Sequence, residues 1–139
     1  KTRNTFVAGN KYWKLKGKRM EYEELKELPC IFLEKNTSTR RFMDQFLEKC
    51  GILLEPEFEL ATSDMIVQFA IRNMGIGCVM AEFAREKIEA GELFDLAFRE
   101  MMPEREICIV TDRKNSVSPS GEKFLRVLRK GYSSGREIL

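Results

Sequence analysis

Histidine is missing altogether from this 139-residue chain, which removes the commonest general base and the commonest metal ligand at once. The cysteines Cys30, Cys50, Cys78 and Cys108 include no C-x-x-C pair, so cysteine-only zinc has no ligand spacing to use and no metal is assigned. Lying in or beside apolar segments, they fit inert thiols in a reducing cytoplasm. No apolar run approaches the roughly 18 residues of a transmembrane helix, so no membrane partner is expected. Repeats and low-complexity tracts are absent too. A signal peptide is not visible, and the chain opens at Lys1 without an initiator Met, which reads as a fragment.

What is present describes a soluble domain with a real core: hydrophobic residues make up 43% and charged ones 33%, and the length suits one domain. The net charge of +2 is unevenly spread. Lys1, Arg3, Lys11, Lys14, Lys16, Lys18 and Arg19 lie in the first 19 residues with no acid, leaving the remainder at −5. Such a basic arm is open to contact with nucleic acid or an acidic partner, but it reads rather as a solvated loop, since Tyr12 and Trp13 are its main aromatics.

Along the chain, strands and helices alternate. Thr5 to Gly9 reads as a strand ended by glycine, Glu21 to Leu28 as a helical turn stopped by Pro29, and Cys30 to Leu33 as a second strand. An amphipathic helix from Arg40 to Cys50 follows, with Phe42, Phe46, Leu47 and Cys50 on its apolar face and Gly51 at its end. Glu57 to Ala61 alternates as a half-buried strand does. Thr62, Ser63 and Asp64 then cap a helix carrying Met65, Ile66, Phe69 and Ala70 inward. Ile76 to Met80 is a buried strand, and Glu82 to Ala90 a helix with Phe83, Ala84 and Ile88 inward. Strands are expected at 93–98 and 106–111, and Ser118-Pro119 opens a last helix striped with Phe124, Leu125 and Leu128 before a fraying tail at Ser133-Ser134-Gly135. The order implies an α/β fold with a mixed sheet flanked by helices.

The segment Glu34-Lys35-Asn36-Thr37-Ser38-Thr39-Arg40-Arg41 carries the chemistry. Three hydroxyls and an amide crowd the point where a strand gives way to a helix, where unpaired N–H groups and the helix dipole favour an anion. One hydroxyl is needed for capping in any case, and both roles stay open for these residues as for Thr62 and Ser63. Ligands of open α/β sheets sit at the carboxyl ends of strands. Asn36 to Thr39, Thr62 with Ser63, and the loop after Val7 are therefore candidates for a shared rim. The pair Gly75 and Gly77 lacks the third glycine of a dinucleotide fingerprint, so no such cofactor is expected. An enzyme built on Asp64 or Cys78 has no visible partner base.

The sequence E-x-N-T-S-T-R-R between strand and helix, then Glu57-Phe58-Glu59, the Thr-Ser-Asp cap, Met74-Gly75-Ile76-Gly77, Glu89-Ala90-Gly91-Glu92-Leu93 and the Ser-Pro-capped helix, taken in this order, resembles the effector-binding domain of LysR-type transcriptional regulators. The resemblance runs through most of the chain. In that family the turn commonly reads E-x-G-S-G-T-R, so Thr37 stands where a ligand-facing Ser usually lies, and Thr39 keeps the usual Thr. Asn36 and Ser38 replace its glycines, which narrows or reshapes the approach of an anion.

The resemblance implies one lobe of a bilobal, periplasmic-binding-protein-like (type 2) sensor, with residues 9–105 as the second subdomain and residues 1–8 and 106–139 as crossover strands and final helix of the first. No DNA-binding domain is present. It implies binding of a small anionic effector through Asn36, Thr37, Ser38, Thr39, Thr62 and Ser63, self-association that hides the stripe of the last helix, and contact with DNA only through a missing N-terminal domain, in the cytoplasm. It implies neither catalysis nor a cofactor. A lobe of a solute-binding protein of a transport system is the alternative, because it shares the bilobal architecture.

Overall fold

The computed structural model describes residues 1–112 and 114–131. Thr2–Glu104 form one compact unit, and Lys1 with the residues from Arg105 onward form another.

The first unit is built on a five-stranded sheet. Its strands are β1 (Asn4–Ala8), β3 (Cys30–Leu33), β4 (Phe58–Leu60), β5 (Ile76–Met80) and β6 (Phe94–Asp95), in the order β4-β3-β5-β1-β6. The short strands β2 (Arg19–Met20) and β7 (Ala97–Phe98) pair separately in parallel. Both neighbours of β3 run parallel to it, whereas β1 runs antiparallel to β5 and β6. The sheet is therefore mixed.

Period-two alternation splits the core between two faces. Phe6, Ala8, Cys30, Phe32, Ile76 and Cys78 share one hydrophobic cluster with Met43 and Leu47 of α1 (Ser38–Lys49). Val7, Ile31, Leu33 and Val79 share the other with Ile66, Val67 and Ala70 of α2 (Ser63–Ile71) and Ala84 of α3 (Ala81–Glu89). On the first face an aromatic group closes the packing: Tyr22 stacks on Phe98 with ring centroids 4.2 Å apart and meets Phe46 edge-on at 5.3 Å.

Several local expectations change. The basic segment contains a 3-10 turn over Asn10–Leu15 and strand β2 in place of a plain loop. Tyr22–Glu27 is 3-10 as well, opened where the Glu24 carboxylate accepts from the Glu21 N–H at 2.8 Å and cut short by Pro29, which cannot continue a helix. The strand expected over 93–98 divides at Leu96, whose N–H donates to the Phe6 carbonyl at 2.8 Å; one half joins β1 and the other β2.

On α1 the buried side chains are Arg40, Met43 and Leu47, with Phe42 and Phe46 only half-buried. Met65 of α2 and Phe83 of α3, expected inward, are exposed, because each lies one position off the stripe that the sheet covers.

In the second unit, α4 (Pro119–Gly131) forms as expected behind the Ser118 hydroxyl, which accepts from the Gly121 N–H at 3.1 Å. Phe124 of its stripe is nonetheless exposed. The strand expected over 106–111 does not form: Arg105 and Val110 make isolated bridges only. Its β-branched residues have the propensity, but a ladder needs successive pairs and single bridges do not make one. Ser133 to Gly135 lie outside the described residues.

Candidate functional site

Three parallel strands, β4, β3 and β5, end side by side, and each is followed by a helix. Leu33 lies opposite Leu60 in the ladder, and the Glu34 N–H continues the pairing by donating to the Leu60 carbonyl at 3.1 Å. The turns that begin α1 and α2 consequently leave the same rim from adjacent strands. Asn36 sits exposed in the first turn, Thr37 caps α1, Ser38 opens it, and Thr39 is half-buried in its first turn. Thr62 caps α2 and Ser63 opens it. All six residues singled out in the sequence thus stand on one rim.

The loop after Val7 does not join them. Because β1 runs antiparallel to β5, Val7 faces Gly77 near the start of that strand and Asn4 faces Met80 at its end. The end of β1 expected at the rim therefore lies at the opposite edge of the sheet, and the beginning of β1 takes its place.

Capping uses more of the hydroxyl chemistry than sequence alone indicates. Thr37 Oγ1 accepts from the Arg40 N–H at 3.2 Å and donates its one proton to the Glu34 carbonyl at 2.9 Å. Thr62 Oγ1 accepts from the Met65 N–H at 3.3 Å. For an anion the useful polarity is then the positive ends of two helices that start from adjacent strands on opposite faces of the sheet, with the amides of their first turns and the Ser38 and Ser63 hydroxyls. Thr37 shapes this turn and keeps the amides in place; it donates to a ligand only by releasing Glu34.

Two residues of the site were missed in the sequence. Arg40 is 4% exposed. Its Nε lies 3.1 and 3.0 Å from the two Asp44 carboxylate oxygens, its Nη1 donates to the Leu33 carbonyl at 2.9 Å and reaches Glu59 at 3.4 Å, and the guanidinium covers the Phe32 ring at 5.3 Å. One cation thus ties strand end, helix and edge strand together. Asn4 is 3% exposed, with its Nδ2 donating to the Thr39 carbonyl at 3.5 Å. An arginine at the third position of a helix and an asparagine opening an apolar strand were the available signals.

A concavity of about 750 Å³ lies beside the hydroxyl rim, between α1 and β4. Its charged lining is Asp44, Glu48, Glu55 and Glu59 against Lys35 and Arg40, and Arg40 is already engaged by two of those acids. Such a wall repels an anion, so the rim and not this hollow is the anion candidate. Among the described residues no three His, Cys, Asp or Glu side chains are grouped to hold a metal, and no helix is long and apolar enough to cross a membrane.

Comparison with known proteins bears on this geometry. The family model described as the LysR substrate binding domain matches residues 3–133. A RuBisCO operon transcriptional regulator of Acidithiobacillus ferrooxidans is 25% identical over 118 residues, covering 85% of this chain and 38% of that protein. Among solved structures, the regulatory domain of CcmR from Synechocystis PCC6803 in complex with 2-PG superposes with a TM-score of 0.74 at 19% identity, over 94% of this chain and 62% of that one. The effector binding domain of QuiR in complex with shikimate gives 0.67 at 14% identity, over 97% and 64%. At these identities the structural likeness speaks for the fold. The chain spans less than two thirds of each of these relatives.

Proposed function

We propose, from the premise that this chain belongs to the LysR substrate-binding domain family, that it is the effector-sensing part of a cytoplasmic transcriptional regulator and that its effector is a small anion held at the α1 and α2 rim. It is a binding module and not an enzyme, as its relatives are regulators. The observation that carries the anion is the pair of capped helix starts, at Thr37 and Thr62, on adjacent parallel strands. Two dipole ends and their first-turn amides start from the strand ends at which open α/β sheets place ligands.

Effector binding works by population shift: contacts that exist only when the rim is covered by the rest of the cleft favour the closed arrangement, with coupling typically of about 1–3 kcal/mol. The two ligands named for the related domains, 2-PG and shikimate, are the first probes. Titration of either, and of sulfate, into the isotope-labelled chain is expected to move the amide resonances of residues 38, 39 and 63 first. Resonance changes confined to the hollow at Glu48 and Glu55, or none at 20 mM probe, would remove the rim from consideration.

Assembly follows from the second unit. Phe124 and Val127 of α4 are 60% and 62% exposed, and adjoining exposed apolar side chains on one helix suit an interface. A second copy is the proposed cover, and DNA is reached through a part of the regulator outside this sequence. Sedimentation of the purified chain is expected to show a dimer or larger species, which F124E/V127E reduces to monomer; a monodisperse unmodified monomer would contradict this.

A further inference from the structure

The cation-rich segment noted in the sequence plays no part at the rim, and the fold gives it a definite form. Residues Asn10–Leu15 are a 3-10 turn pinned to the end of α2. The Lys11 N–H donates to Asn73 Oδ1 at 3.0 Å, and Asn73 itself turns the chain with φ of 62°. At Gly9 an added Cβ would come within 2.5 Å of Asn73 Oδ1 and 2.6 Å of the Ala70 carbonyl, so only glycine lets the turn seat this closely. The segment is thus a fixed knuckle and not a loose solvated loop.

Its surface is positive and incompletely neutralised. Lys11, Lys14, Lys16, Lys18 and Arg19 are all exposed. Lys18 pairs with Glu24 at 2.7 Å, whereas Lys11, Lys14, Lys16 and Arg19 form no ion pair with any described residue. Between Lys11 and Lys14 stands Trp13, 65% exposed. Lys11 lies over the Tyr12 ring at 5.7 Å, and an exposed aromatic beside four cations without an ion pair among the described residues suits a polyanion whose backbone offers both phosphate charge and apolar sugar.

We infer that this knuckle, residues 10–19, is a contact for the phosphate backbone of duplex DNA, independent of sequence. The inference rests on the reading of the chain as part of a DNA-binding regulator, because tethering beside DNA raises the effective concentration enough for a four-cation contact to matter. An acidic protein offers the charge without being held nearby.

The test is fluorescence anisotropy of a labelled 20-bp mixed-sequence duplex with the whole chain between 50 and 200 mM KCl. Four phosphate contacts correspond to a salt slope of about −3.6, which weakens binding about 150-fold across that range. K14E/K16E/R19E is expected to lower the slope to about −1 and abolish binding above 100 mM salt, and W13A to weaken binding several-fold, each with an unchanged circular dichroism spectrum. As an internal control, K123E/R126E on α4 is expected to leave binding intact. Absence of binding at 50 mM KCl with 100 μM chain, loss of binding in the α4 variant instead, or equal competition by poly-glutamate would overturn the assignment. None of these readouts involves the effector rim, so failure here is separate from failure there.

Discussion

Arg40 Nη1 donates to the carbonyl of Leu33 at 2.9 Å, joining the third residue of α1 to the last residue of the strand before it. That bond closes the strand-to-helix turn around the hydroxyl residues, and the same side chain engages Asp44 and Glu59. The rim proposed for an anion is held in shape by a cation whose guanidinium is taken up by Leu33, Asp44 and Glu59.

Removing that cation is therefore a stability experiment first. Arg40→Ala leaves the Leu33 carbonyl unsatisfied and two carboxylates unpaired, at a cost of about 2–3 kcal/mol; both acids are partly exposed, which keeps the cost below that of a fully buried pair. Arg40→Lys recovers less than half, because an ammonium cannot span three acceptors in one plane. Urea denaturation of both variants measures the difference, and a Lys variant as stable as wild type would show that charge alone suffices.

Thr37 separates capping from recognition. Thr37→Val removes the acceptor for the Arg40 N–H and costs about 1 kcal/mol, and Thr37→Ser restores it. If the residue acts on effector only by holding the turn, Ser also restores effector response in the full regulator, and Val diminishes it through misplaced amides. A Val variant with normal response and normal stability would contradict both roles.

Gly75 has a steric reason for its identity. Its φ is 156°, and an added Cβ would lie 2.6 Å from the Pro29 carbonyl oxygen, which already accepts from the Ile76 N–H at 2.8 Å. Gly75→Ala is expected to lose about 2–3 kcal/mol and to loosen β5 against β3, visible as faster amide hydrogen exchange at residues 76–78.

Cys30 gives alkaline pH a specific effect. Burial pushes its thiol up to about 12 from an ordinary 9. The folded state thus retains a proton that the unfolded state loses. Its stabilising contribution is full below pH 9 and declines as pH rises toward 12, by at most about 1.4 kcal/mol per pH unit. Cys30→Ala is expected to flatten the stability profile over that window; Tyr22, raised in the same direction by burial, accounts for part of what remains. An unchanged alkaline slope in Cys30→Ala would contradict this assignment.

The family, the α/β class, the four α-helices of the described residues and the capped turns at Thr37 and Thr62 were decided by local sequence, because caps, glycine ends and apolar periodicity act within a few residues of one another. Tertiary structure decided the rest. Which end of β1 reaches the rim depends on its antiparallel pairing with β5, and no residue within β1 encodes that direction. Arg40 became a buried strut only because Leu33, Asp44 and Glu59 arrive from three elements, and a polar residue's neighbours across a fold leave no mark in its own sequence window. The 106–111 segment has strand propensity yet makes only a single bridge, at Val110, since a strand is completed by its partner. The basic segment reads as solvated loop until Gly9 and Asn73, distant in sequence, meet and fix it.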